Sequence, residues 1–207
     1  MRAAFTGGQD IHTATAAQVF HVAPADVTPE MRRSAKAVNF GIVYGISAFS
    51  LSQDLGVYVN EAKDYMDAYF ARFSGVRDYQ KAVVEQGREQ GYVERLFHRR
   101  RNLPELRARD FPTRSFGERV ALNMPIQGTA ADVIKLAMVR VFRRLRDEGL
   151  RARLILQVHD ELIVECPLEE QEQAARILGE EMRKAADLSV PLVADVNSGD
   201  TWYAAKG

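Results

Sequence analysis

The chain has 207 residues, is 46% apolar and 27% charged, and carries 28 basic against 28 acidic side chains. This suits one large domain or two smaller ones with a sizeable core, and it excludes wholesale disorder. A single cysteine, Cys166, excludes an intrachain disulfide and fits a reducing compartment. No apolar run approaches a membrane span, and the N-terminus lacks a charged segment followed by an apolar one, so the cytoplasm is the expected location. Zero formal charge decides nothing about nucleic acid, because a binding face needs only local positive charge.

In chain order, residues 1–28 predict one short helix, Ile11 to Phe20, ending near Pro24. It opens in Asp10-Ile-His-Thr-Ala-Thr-Ala16, where His12, taken alone, reads as a surface histidine. The stretch from Met31 to Gly45 is the most informative. Thr28 can N-cap it, Pro29 fits the first turn, Glu30 favours the positive end of the dipole, and Gly45 stops it. At about 100° per residue, Met31, Ala35, Val38 and Ile42 share a narrow apolar stripe. Arg32, Lys36, Phe40 and Tyr44 fall roughly opposite. Cations suit phosphates, and aromatic faces suit sugars and bases. The plainer reading is an amphipathic helix whose aromatics pack on a neighbour, and periodicity alone favours it. Gly41 costs about 1 kcal/mol relative to Ala inside a helix, which points to something packed close to the backbone there.

Ser47 can cap a helix ending near Gly56, and Asn60 another from Glu61 to Arg72. A third runs from about Val76 to Gln90 and stops at Gly91. Tyr65, Met66, Tyr69, Phe70 and Phe73 read as helical core. Tyr92 to Leu103 reads as a short hairpin. With Arg95, Arg99, Arg100, Arg101, Arg107 and Arg109 it is the most basic region, either a solvated loop or a contact with duplex phosphates. Asp110 to Arg114 reads as a connector and a candidate domain boundary.

Arg114 to Gly149 is expected to be helical, with a break around Pro125. Arg119, Asn123 and Gln127 recur at i, i+4 spacing. Alone, such a row is a solvated stripe; as donors they could test pair shape, since every Watson–Crick pair presents minor-groove acceptors. Apolar runs then bracket His159-Asp160, predicting two antiparallel strands around a tight turn. His-Asp is a poorer turn former than Asn-Gly or Asp-Gly, and a suboptimal turn exposing a carboxylate suggests function over stability. Pro167 ends the hairpin. A helix from Leu168 to Ala186, a last strand from Val190 to Val196, and Trp202 tucking in the tail complete the expectation.

RRSAKAVNFGIVYG closely resembles motif B of the family A DNA polymerases, the bacterial DNA polymerase I type. Gln157-Val-His-Asp-Glu161 resembles their motif C. The segments DIHTATA, GYVERL with RRR and LP, and E-R-x-x-x-N-x-P-x-Q-G-T-A-A-D resemble the family in the same order. The resemblance implies an α+β fold. Residues 1–115 would form a mostly helical fingers-like subdomain with nucleotide-binding helix 29–45. Residues 116–207 would form an incomplete palm, an antiparallel sheet packed on helices, with catalytic hairpin 152–166.

It further implies that Arg32, Lys36 and His12 meet the incoming triphosphate. Phe40 would lie near its sugar and base, and Tyr44 near the forming base pair. Arg119, Asn123, Gln127 and His159 would contact DNA. Asp160 would be a metal ligand, with Glu161 beside the metals; Asp160, Glu161 and Lys36 carry the catalytic assignment. The implied activity is addition of deoxynucleotides to a primer 3′ end by two-metal nucleotidyl transfer with two Mg²⁺ ions. The implied partners are primer-template DNA and deoxynucleoside triphosphates, with no membrane and a monomeric parent enzyme. Phe40, rather than Tyr, resembles family members that exclude dideoxynucleotides.

The family has one more motif, upstream of the segment around Asp10, with a second metal-binding aspartate and a glutamate that screens the sugar 2′ position. No residue here matches either. The expectation is therefore a C-terminal fingers and palm piece, lacking one catalytic aspartate and inactive alone. Its sheet would have an open edge prone to self-association. Two other classes stand beside this reading. One is a DNA- or nucleotide-binding module without turnover. The other is a metal-dependent phosphohydrolase using a His-Asp pair, although those pairs sit on helices and His12, His21 and His98 show no ligand spacing.

Overall fold

In a computed structural model the described residues are Gly7 and 10–206. The fold is α+β, mostly helical with two small antiparallel hairpins. It divides into two compact units, 1–128 and 129–207.

In the first unit, α1 (Ile11–Val19) is N-capped by Asp10 and α2 (Pro29–Val43) by Thr28, whose hydroxyl accepts from the Met31 N–H. Gly45, at φ 74°, turns the chain beyond α2, and an added Cβ there would meet the Leu122 side chain. The close approach expected at Gly41 is real: a Cβ would lie 2.9 Å from Ile46. Helix α3 (Ala48–Leu55) is capped by Ser47. Helix α4 (Val59–Arg72) starts before Asn60, which is therefore not its cap, and α5 (Ser74–Gln90) follows almost directly. The stripe read in α4 is core: Val38, Ile42, Leu51, Ala62 and Tyr69 are buried, with Tyr65, Met66, Phe70 and Phe73 against them.

Strands β1 (Tyr92–Glu94) and β2 (Arg100–Asn102) pair antiparallel. Helix α6 spans Phe111–Asp147 without a break and contains Pro125. Two expectations change here. The stretch read as a connector is the first turn of α6. Proline removes one backbone donor and normally kinks a helix. Yet Ala121 and Met124 are buried before it in one core, and Ala137, Val141 and Leu145 after it in another. Packing on both sides outweighs the local penalty.

In the second unit, β3 (Arg153–Val158) and β4 (Glu161–Glu165) pair with Val158 opposite Glu161, so His159-Asp160 is a two-residue turn. A register shift between Leu154 and Leu156 marks a bulge. Helix α7 (Gln171–Arg183) packs Ala174 and Ile177 into the core with Leu162, Val141 and Leu145, and Cys166 packs against it. Residues 190–196 form no strand. They lie beside α7, where the Arg183 guanidinium donates to the Ala194 carbonyl, and find no ladder partner among the described residues. Nor does Trp202 tuck in. It opens the short α8 (Trp202–Ala205), 44% exposed, with the Lys206 ammonium over its ring.

Candidate nucleotide and metal-binding sites

Helix α2 sorts its side chains as the spacing predicts. Ala35, Val38 and Ile42 are at most 1% exposed. Arg32, Lys36 and Phe40 are exposed, and Tyr44 is half-buried. Phe40 and Tyr44 stack with centroids 6.3 Å apart, and the Lys36 ammonium lies 5.9 Å from the Phe40 ring centre. The outward face therefore carries a guanidinium, an ammonium and two rings in a row one turn apart.

Helix α1 brings His12 to the same face, its ring 5.7 Å from that of Phe40. Its Nδ1 lies 3.0 Å from the Asn39 Nδ2 amide. Asn39 is 7% exposed, and its Oδ1 accepts from the buried Thr15 hydroxyl at 3.1 Å. Burial pushes the His12 pKa down, Asp10 opposes this, and Arg32 and Lys36 add to it. Asp10 accepts from the Arg32 guanidinium at 2.5 Å, from Thr13 and from the His12 backbone N–H. The Arg32 hydrogen bond holds its carboxyl well below the usual carboxylate range, against a smaller opposing effect of burial.

Arg119, Asn123 and Gln127 are all exposed on α6. Arg119 donates to Ser115, and Gln127 donates to the Tyr44 hydroxyl, tying this row to the end of α2. A groove of about 600 Å³ runs between them, lined by Phe40, Gly41, Tyr44, Ser50, Arg119 and Leu122 among others. Sequence reasoning missed Asp10, Thr15 and Asn39 as site-shaping residues. Each acts through a polar contact across a helix–helix interface, which periodicity cannot register.

In the second unit, His159 and Asp160 occupy the β3–β4 turn and are exposed. His159 takes φ 52°, and its carbonyl accepts from the Gln157 side chain at 2.6 Å. That is the positive φ a tight hairpin demands, met by a residue that tolerates it only moderately. Asp160 has no hydrogen-bond or ion-pair partner among the described residues. Glu161 pairs loosely with Lys206, at 3.5 Å. Among the described residues no group of three His, Cys, Asp or Glu side chains could hold a metal ion. An unpaired carboxylate nevertheless suits Mg²⁺, which binds through one or two carboxylates and completes its shell with water and substrate phosphates.

The model for the DNA polymerase family A matches residues 1–204. The chain belongs to DNA polymerase family A. It is 54% identical over 203 residues to DNA polymerase I of Geobacillus stearothermophilus and to that of Bacillus subtilis (strain 168), covering 98% of this chain and 23% of each relative. The thermostable DNA polymerase I of Thermus thermophilus is 51% identical over 203 residues. The family A chain thus spans about a quarter of the length of these relatives. Its fold matches the POL domain of Pol1 from M. smegmatis, solved with DNA primer-template and dNTP, with a TM-score of 0.94 and 46% identity. That match covers 99% of this chain and 36% of that one.

Proposed function

We propose that this chain supplies the nucleotide-gripping and one metal-gripping part of a DNA-directed DNA polymerase, with residues 1–115 acting as fingers and 116–207 as palm. The observation that carries this is the outward row of α2: Arg32, Lys36, Phe40 and Tyr44, with His12 beside them, backed by the buried Ala35, Val38 and Ile42. Arg32 and Lys36 take the phosphate oxygens, His12 adds a hydrogen bond, Phe40 covers the sugar and base, and Tyr44 abuts the forming pair. Arg119, Asn123 and Gln127 present donors to the minor groove, and His159 lies near the primer end. Asp160, with Glu161 beside it, would hold Mg²⁺, which would activate the primer 3′-hydroxyl and steady the departing pyrophosphate.

The 207-residue chain alone is proposed to hold nucleotide and DNA without efficient turnover. One carboxylate at the turn does not keep two magnesium ions in register. The phosphohydrolase reading is disfavoured, because its His-Asp pair would sit on a helix and His159-Asp160 sits between strands.

The test is a chimera in which this chain replaces the matching segment of the Bacillus subtilis relative. It should extend a primer. Asp160→Ala should abolish incorporation while leaving DNA binding largely intact, and Arg32→Ala or Lys36→Ala should raise the nucleotide KM. Nucleotide kinetics unchanged by either cation variant would overturn the assignment of the α2 face.

A further inference from the structure

The side chain that decides how His12 works is buried behind it. A neutral histidine has one N–H, and which nitrogen carries it determines what the ring can offer. His12 is pushed toward that form. Burial and the two cations Arg32 and Lys36 disfavour its charged form, with Asp10 opposing. Its Nδ1 meets the Asn39 amide, whereas Nε2 has no partner among the described residues.

The orientation of that amide is set one step further in. Thr15 is 1% exposed, and its hydroxyl donates to Asn39 Oδ1, its one partner among the described residues. Turning the amide over would make the Thr15 hydroxyl an acceptor and take from its buried proton the one acceptor it has among the described residues, at a desolvation cost. Asn39 therefore presents Nδ2–H to the ring, and a neutral His12 can only accept there. Its proton must sit on Nε2.

We propose that Asn39 is a positioning residue: through the relay Thr15–Asn39–His12 it fixes His12 as the Nε2–H tautomer, so that the ring's one free group is a donor suited to a phosphate oxygen. In the opposite tautomer the free nitrogen would be a lone pair and would repel that oxygen. The Phe40 ring, 5.7 Å away, flanks the imidazole on the same face. The tautomer itself is independent of any ligand; only its use rests on the proposed nucleotide contact.

The test labels the histidines of the full 207-residue chain with ¹⁵N and reads long-range ¹H–¹⁵N spectra above neutral pH. His12 should show a protonated Nε2 and a bare Nδ1. Asn39→Asp offers only acceptors, so it should draw the proton to Nδ1 or make the ring cationic. Thr15→Val, nearly isosteric and uncharged, frees the amide to turn and should give a mixture of tautomers, with His21, His98 and His159 unchanged. A protonated Nδ1 in the unaltered protein would overturn the proposal. So would an unaltered His12 pattern in folded Thr15→Val.

Inorganic tripolyphosphate supplies the second readout. In Thr15→Val its apparent dissociation constant should rise by the inverse of the Nε2–H fraction, about twofold for an even mixture. A tautomer shift with unchanged tripolyphosphate affinity would uphold the relay and overturn the phosphate contact.

Discussion

Replacing Asp10 with asparagine separates two tasks that one carboxylate performs. Asp10 caps α1 through the His12 N–H, and it pairs with Arg32. Asparagine caps about as well as aspartate, so α1 should persist. What disappears is the ion pair. Its side chains are 48% and 38% exposed, so its stabilisation is at most about 1 kcal/mol. The folded carboxyl titrates below its ordinary value, so that contribution is fully present above about pH 4 and is lost as pH falls toward the folded pKa.

The effect on ligand should run the other way. A phosphate on the far edge of the guanidinium would sit roughly 6.5 Å from the carboxylate. With an effective dielectric between about 20 and 80, each phosphate charge is repelled by roughly 0.6–2.5 kcal/mol. Losing the hold on the Arg32 side chain costs about 0.5–1.5 kcal/mol, so repulsion dominates for a triphosphate. Asp10→Asn should therefore bind a deoxynucleoside triphosphate several-fold more tightly in low-salt calorimetry, with the gain shrinking as salt rises. Weaker binding, or a gain indifferent to salt, would refute the reasoning.

Three further outcomes are expected. Tyr69 is 2% exposed, its hydroxyl finds no partner among the described residues, and burial pushes its pKa up to about 12; Tyr69→Phe should raise stability by about 1 kcal/mol in urea melts, and a loss would mean the hydroxyl is paired. Ile155 and Leu156 are 54% and 46% exposed on adjacent positions of β3, whose outer edge pairs with no strand among the described residues. The isolated chain should self-associate in light scattering and Ile155→Lys should reduce this, whereas a clean monomer at high concentration would count against an adhesive edge. In the chimera, Phe40 should favour deoxy- over dideoxynucleotides, and equal use of the two would contradict its placement at the sugar.

What could be read beforehand follows from the range of the forces involved. Caps at Thr28 and Ser47, the stop at Gly45 and the stripe Ala35–Val38–Ile42 are local, and they appear where spacing puts them. The His159-Asp160 turn was legible for the same reason. Asn39 was not, because its partners lie 24 and 27 residues away and polar residues carry no periodic signal. Pro125 misled because its local penalty is visible and the two cores that offset it are not. Residues 190–196 misled because a β-rich segment becomes a strand only where a neighbour bonds to it.

The division of labour on α2 has a practical consequence. Folding draws on its inner stripe and on Asn39, while Arg32, Lys36 and Phe40 add little to the hydrophobic interior. If the outer row grips nucleotide as proposed, substitutions along it would retune what is gripped, and how tightly, while the scaffold beneath stays as it is. On the proposed reading, substrate preference could drift here at small thermodynamic risk, and a lost activity at these positions would report altered chemistry instead of a collapsed protein.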